Sequence, residues 1–266
     1  MSTKKILINP FNYHFFRIYI YHPCLLIINF LRFPNKVFRL LRIGFTSNLY
    51  TVYGFKISTP KKIDKYFFAN LNTKFNSLIQ ENYENSEREL ILKYLSPDDV
   101  VLELGGCIGV ISNVINKKIN DKKSHVVLEV DKVKFNFLKK NKSLNNVCFQ
   151  LINGALSDKK GLYYKSAGNF WGGNLVKFKT SFPVHTYSLT ELQKKFRIKF
   201  NTLVMDIEGG EFDVFNEINF KEIQKIIFEN HYRSYSNECK LINKKLNNNN
   251  FKKKEINGRV EFWCKK

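Results

Sequence analysis

Two sets of residues in this chain have types and spacing that chemistry can use. The first is Glu103-Leu-Gly105-Gly106-Cys107-Ile-Gly109, where an apolar run from Val100 ends in a glycine-rich segment. Glycines at 105, 106 and 109 let the backbone turn sharply and approach a ligand closely. A helix starting there turns its free N–H groups and positive end toward an anion such as a carboxylate. Glu129 closes the next apolar run, twenty residues after Gly109, and a carboxylate so placed can accept both hydroxyl hydrogens of a ribose. The second set is Asp206, Glu208 and His231. Asp206 ends another apolar run and His231 lies just past a further one, so both fall at the carboxyl edge where open α/β sheets bind ligands. Either acid could act as a base, bind an acceptor or orient a cationic group. An imidazole with an ordinary pKa near ~6.5 suits proton transfer. Asp206, Glu208 and Glu229 could together hold a divalent cation, but nothing in the sequence requires one and no metal is expected.

The glycine spacing decides between nucleotide classes. A dinucleotide fingerprint needs G-x-G-x-x-G; counted from Gly105, Cys107 and Val110 stand where glycines are required. A nicotinamide enzyme is therefore disfavoured, and the acidic-Gly-Gly spacing is instead typical of S-adenosylmethionine sites. Asn153 and Ala155 follow the third apolar run, where an adenine would lie. Farther on, Asn169, Trp171 and Asn174 form a glycine- and amide-rich stretch. Sugars stack on aromatic faces while amides bond their hydroxyls, which makes this a candidate acceptor loop; the alternative is a turn with Phe170 and Trp171 folded into the core.

These residues must be positioned by alternating strands and helices. The pattern predicts a strand over residues 99–104, a helix over 108–119, a strand over 124–130, a helix over 132–141 and a strand over 147–152. Strands follow at 201–207 and 225–229, then two alternating segments on either side of Asn257-Gly258, a two-residue hairpin signal. The expected fold is α/β: a Rossmann-like class I methyltransferase fold with a mostly parallel seven-stranded sheet closed by a C-terminal antiparallel hairpin. Residues 1–45 read as an aromatic, basic, helical extension, 46–97 as a small hairpin and helical lead-in, and 98–266 as the cofactor-binding domain.

Composition sets outer bounds. The 266 residues are 44% hydrophobic, enough for one sizeable core, and carry 44 Lys+Arg against 23 Asp+Glu, a formal charge of +21. Lysines scattered along the whole chain signify a generic basic surface more than a dedicated polyanion site. Five cysteines without metal-ligand spacing fit reduced thiols, and a cytoplasmic location is expected. Residues 18–31 are apolar but interrupted by His22 and Pro23, a poor membrane span. Arg32, Lys36, Arg39 and Arg42 then recur at helical spacing. Residues 17–43 therefore suit either peripheral contact with an anionic inner membrane face or packing on the main domain.

Five blocks together resemble the FkbM family of methyltransferases: Tyr83-Glu84-Asn-Ser-Glu87, Glu103 to Gly109, Val184-His-Thr-Tyr-Ser-Leu189, Met205-Asp-Ile-Glu-Gly-Gly-Glu211 and Phe228-Glu-Asn-His231. Gly106 and Cys107 stand where that family usually has Ala and Asn, and Thr190-Glu191 where it has Asp-Asp. The resemblance implies S-adenosylmethionine-dependent O-methylation, often of sugars, glycolipids or other secondary metabolites. Glu103, Gly105, Gly106, Cys107, Gly109, Glu129, Asn153 and Ala155 are then candidates for the cofactor, and Asp206, Glu208 and His231 for catalysis. Asn169, Trp171 and Asn174 are candidates for a small-molecule or glycan acceptor. An RNA-directed methyltransferase is a rival suggested by the charge, although no N-P-P-[YF] motif is present and no specific nucleic acid is expected. A non-catalytic binding or membrane-surface protein with a degraded cofactor pocket is the other.

Overall fold

The computed structural model describes residues 49–59, 84–166, 172–179 and 182–266. Contacts divide the chain into two units, 1–47 and 48–266; the described residues belong to the second, and the expected N-terminal extension lies outside them. A seven-stranded sheet organises this unit. Its strands, in sequence order, are β3 (Val101–Leu104), β4 (His125–Glu129), β5 (Gln150–Asn153), β10 (Thr202–Met205), β11 (Lys225–Glu229), β12 (Phe251–Asn257) and β13 (Val260–Lys265). The spatial order is β12-β13-β11-β10-β3-β4-β5. β3, β4, β5, β10 and β11 run parallel, and β13 lies antiparallel to both β11 and β12. This is the expected class I methyltransferase architecture.

The two-residue alternation of the strands sorts side chains onto opposite faces. Leu102, Leu104, Leu203, Met205, Ile226 and Phe228 belong to one core, which also takes residues from α4 (Leu189–Phe196), α5 (Glu211–Glu217) and α6 (Asn237–Asn248). Val101, Val204 and Ile227 belong to the other, with residues of α1 (Asn85–Tyr94) and α2 (Val110–Lys118). Helix α3 (Lys132–Leu144) places Leu138 against Val127 and Phe149. Both faces of the parallel strands are thus covered by apolar side chains, which accounts for their near-continuous hydrophobic runs.

Some boundaries differ from the sequence expectation. The C-terminal hairpin pairs Asn257 with Val260, so its turn is Gly258-Arg259, one residue later than Asn257-Gly258, with the positive φ carried by Gly258. Helix α2 begins at Val110 rather than 108, because Cys107 and Gly109 both adopt left-handed backbone. Between β5 and β10, four short strands are present: β6 (Ala155–Leu156) pairs with β9 (Thr186–Tyr187), and β7 (Tyr163–Ser166) with β8 (Gly173–Val176).

The hairpin of β1 (Leu49–Val52) and β2 (Phe55–Ser58) is fastened by two asparagines one helical turn apart on α3. The Asn141 side chain accepts from the Ser58 amide at 2.7 Å and donates to the Ser58 and Ile108 carbonyls at 2.9 and 2.8 Å. Asn145 pairs in the same way with the amide and carbonyl of Lys56. Each carboxamide therefore satisfies backbone groups of a strand edge, as a neighbouring strand would. Asn141 is fully buried, and its replacement by alanine leaves these groups unpaired. Asn141→Ala is expected to cost about 2–3 kcal/mol and to speed hydrogen exchange at the Lys56 and Ser58 amides. Unchanged exchange there would contradict this anchoring.

Candidate active site

The sheet reverses its winding at β3, whose neighbours are β4 and β10. Ligands of open α/β sheets bind in the crevice that such a switch point leaves at the carboxyl ends. A cavity of about 460 Å³ opens there, with Gly105, Cys107, Glu129, Ala155, Asp206 and Glu208 on its wall. Members of both sets, Gly105, Cys107 and Glu129 from the first and Asp206 and Glu208 from the second, thus share one chamber. Gly105 (φ 88°) makes this possible: a Cβ at that position would collide with the Asp206 carbonyl oxygen. The Asp206 amide meanwhile donates to the Leu104 carbonyl at 3.0 Å.

On the β4 side, both oxygens of Glu129 are held. Oε2 accepts from the Cys107 amide at 2.8 Å and Oε1 from the Asp131 amide at 2.7 Å. Burial raises the Glu129 pKa to about 7, against the opposing pull of Lys134 and these two amides. Cys107 sits at φ 47°, a conformation that asparagine tolerates better, and its amide bond to Glu129 fixes the turn. Its thiol is raised by burial.

Several candidates for cofactor contact have other work. Glu103 points to the opposite side of β3 from Leu104 and is buried, accepting from Ser112 Oγ at 2.7 Å and lying 2.8 Å from His125 Nε2. It ties β3 to α2 and β4 and does not line the cavity. Gly106 and Gly109 also lie off the wall. A Cβ on Gly106 would meet Val127 and Leu138, and one on Gly109 would meet Leu138, so both glycines serve the packing of α3 against the turn. Asn153 donates to the Glu129 and Val130 carbonyls, joining the ends of β4 and β5; its neighbours Gly154 and Ala155 face the cavity. Asn174, on β8, reaches the wall together with Tyr164 of β7. Asn169 and Trp171 lie outside the described residues.

On the β10 side, the segment after Met205 turns through left-handed backbone at Glu208 (φ 56°) and Gly209 (φ 101°). This bend gathers Asp206, Glu208 and Glu211 around His231, which follows β11. Glu211 is fully buried; its Oε1 receives the Gly209 amide at 3.1 Å and lies 2.8 Å from His231 Nδ1. His231 Nε2 faces Glu208 at 3.5 Å and Asp206 and Glu229 at 3.8 Å each. Burial and the charge of Glu229 raise the Asp206 pKa to about 7, with His231 pulling the other way. Burial alone would lower His231, but Glu211, Asp206 and Glu229 outweigh it and carry its pKa up to about 9. Glu211 opens α5, and its buried bond to His231 gives it a positioning role signalled in the sequence only by its place in the Met205–Glu211 block. Glu84 (φ 52°) also reaches the wall and had been noticed only through the family block around Tyr83.

The family model for the methyltransferase FkbM domain matches residues 103–253. The chain belongs to the FkbM methyltransferase family. Its methyl donor is accordingly S-adenosylmethionine. No curated protein matches the sequence. Among solved structures, P. horikoshii TYW2 in complex with MeSAdo is similar at 14% identity, over 81% of this chain and 68% of that one, with a TM-score of 0.45. Ribosomal protein L11 methylase from Lactobacillus delbrueckii subsp. bulgaricus matches at 15% identity over 68% and 77%, with a TM-score of 0.42. Aeropyrum pernix fibrillarin with natively bound S-adenosyl-L-methionine matches at 13% over 64% and 66%, TM-score 0.40. Among the described residues, no helix of this FkbM methyltransferase is long and apolar enough to cross a membrane.

The internal position of Glu103 makes a distinct prediction. Glu103→Ala strands Ser112 and His125 in the core and is expected to lower stability by about 3 kcal/mol. The folded variant should bind S-adenosylmethionine within about threefold of wild type, because the side chain faces away from the cavity. A large loss of affinity with unchanged stability, read by calorimetry and thermal unfolding, would reverse the assignment.

Proposed function

We propose that this FkbM methyltransferase transfers the methyl group to a hydroxyl of a sugar, glycolipid or other small metabolite. The observation that carries this reading is the acidic wall of Asp206 and Glu208 inside the donor's cavity, with His231 held behind it by Glu211. A hydroxyl is a weak nucleophile at neutral pH and needs a group to take its proton as the new bond forms. A phosphate or carboxylate acceptor needs no such group and is repelled by these carboxylates. Of the three lysines on the wall, Lys159 is already paired with Asp213 and Glu217 at 3.0 and 2.8 Å, Lys134 acts on Glu129 at the donor side, and Lys177 is solvent-exposed. The same repulsion weighs against an RNA backbone entering the cavity, despite the basic composition of the chain.

The donor fits the residues present. Each Glu129 oxygen accepts one amide and keeps a lone pair for a ribose hydroxyl, and Gly105, Gly154 and Ala155 leave the wall open beside it. When bound, S-adenosylmethionine would supply an electrophilic methyl carbon with a neutral thioether as its leaving group. Gly105 and Cys107 approach the donor by backbone, and Glu129 orients it through the ribose. Asp206 and Glu208 align the acceptor's hydroxyl and receive its proton. Asn174 and Tyr164, on the β7–β8 hairpin, contact the rest of the acceptor, with Asn169 and Trp171 proposed as further acceptor contacts from the sequence alone.

Two outcomes test this reading. Only ionised Glu129 accepts both ribose hydroxyls, and its pKa is raised to about 7. Affinity for S-adenosylmethionine is therefore expected to be full above that pH and to weaken below it, approaching about tenfold per unit. Glu129→Gln should flatten this dependence; a wild-type affinity constant from pH 5.5 to 8.5 would exclude the ribose role. Asp206→Asn is expected to lower kcat by about 10²–10⁴-fold on a hydroxyl acceptor while donor affinity stays within a few-fold. Transfer of labelled methyl to RNA in place of sugar and glycolipid hydroxyls would overturn the acceptor class.

A further inference from the structure

We infer that Asp206, Glu229 and His231 form a binding site for a divalent first-row transition cation of the Mn²⁺ or Zn²⁺ type, beside the cavity wall at Asp206. Donor atoms of these three residues lie within 4.8 Å of one another. The site comes from two separate sheet positions, Asp206 after β10 and Glu229 with His231 at the end of β11, so it is assembled by the fold and not by a local acidic run.

The orientation of the imidazole carries the inference. Nδ1 lies 2.8 Å from buried Glu211 Oε1 and, facing a carboxylate, is the donating nitrogen. Nε2, the other ring nitrogen, faces three carboxylates, at 3.5 Å from Glu208 and 3.8 Å from Asp206 and Glu229. Two donors that share an ion at about 2.1 Å each stand roughly 3–4 Å apart, and the two spacings from His231 Nε2 to Asp206 and Glu229 fall in that range. Asp206 Oδ1, the oxygen that faces Nε2, is buried without a hydrogen-bond partner. The Glu211–His231 pair reproduces the carboxylate–imidazole arrangement that orients metal-bound histidines.

One imidazole nitrogen with two carboxylates favours manganese or zinc over magnesium, which prefers oxygen ligands and retains its waters. The inference deepens the proposed hydroxyl methylation and rests on it for its catalytic meaning. A cation here binds the acceptor oxygen and lowers its pKa. Asp206 then acts through the ion, and Glu208, the most exposed of the four acids around Nε2 and Nδ1, takes the released proton.

The test is metal content and affinity of the full-length chain, measured with Mn²⁺, Zn²⁺ and Mg²⁺ separately by calorimetry and by elemental analysis after gel filtration. The expected result is one Mn²⁺ or Zn²⁺ per chain, with affinity lowered at least tenfold in both Glu229→Gln and His231→Gln. Glu211→Gln, which touches no ion, should cost about 10–100-fold by releasing the imidazole. Cys148→Ser, remote from the site and exposed, should change nothing and excludes adventitious thiol binding. Absence of stoichiometric metal, binding of Mg²⁺ alone, or unchanged affinity in Glu229→Gln and His231→Gln overturns the inference. Thermal unfolding and donor affinity of each variant verify that it is folded. Hydroxyl methylation that survives chelation in a metal-free chain would sink the cation site and leave the proposed reaction standing. Stoichiometric metal without methyl transfer to any hydroxyl would sink the reaction and leave the site standing.

Discussion

The close passage of Gly105 over the Asp206 backbone is the constraint on which this molecule depends. Parallel strands β3 and β10 are neighbours across the point where the sheet changes its winding direction, and their carboxyl ends must part to leave room for a ligand while staying near enough to act on it together. A residue without a side chain at 105 lets the β3 turn cross beside Asp206, and the hydrogen bond from the Asp206 amide to Leu104 keeps the two ends in step. The donor cradle built on Glu129 and the acid cluster built on Asp206 consequently open into one cavity. Any larger residue at 105 would push them apart.

Around that crossing, charge is managed differently on the two sides. Glu129 is a lone carboxylate held by two backbone amides, which stabilise it without neutralising it, so it stays available to neutral hydroxyls. Asp206, Glu208, Glu211 and Glu229 instead crowd around a single imidazole. Such a concentration of like charge is costly unless a cation joins it, whether imidazolium, a metal ion or the developing positive charge of a reaction. Glu211 is the one member sealed from solvent, and its role is to fix the ring rather than to meet a ligand.

Much of this was legible in the sequence because strands and glycine turns leave local signatures. The strands expected over 99–104, 124–130, 147–152, 201–207 and 225–229 match the five parallel strands to within a few residues, and Glu129, expected from its place twenty residues past Gly109, lies on one cavity wall with Gly105. What the sequence concealed depends on which way a side chain leaves its strand or turn. Glu103 and Leu104 are adjacent, yet the pleat sends Glu103 to a buried bond with His125 and Ser112. Gly106 and Gly109 look like ligand-facing glycines but make room for Leu138. Glu211 opens a helix, where acidic residues are common, and its partner His231 is twenty positions away and meets it only when β10 and β11 pair. The asparagines that dock the β1–β2 hairpin are likewise unremarkable as residue types; their role exists only once α3 sets them one turn apart beside a strand edge.

Calorimetric titration of S-adenosylmethionine into wild type and Gly105→Ala tests the shared-cavity arrangement most directly. The wild-type chain is predicted to bind one donor per chain. Gly105→Ala is predicted to lose at least about 100-fold in affinity because the added methyl displaces the turn from Asp206. Equal affinity in the two proteins, or no binding by the wild type, would contradict the account.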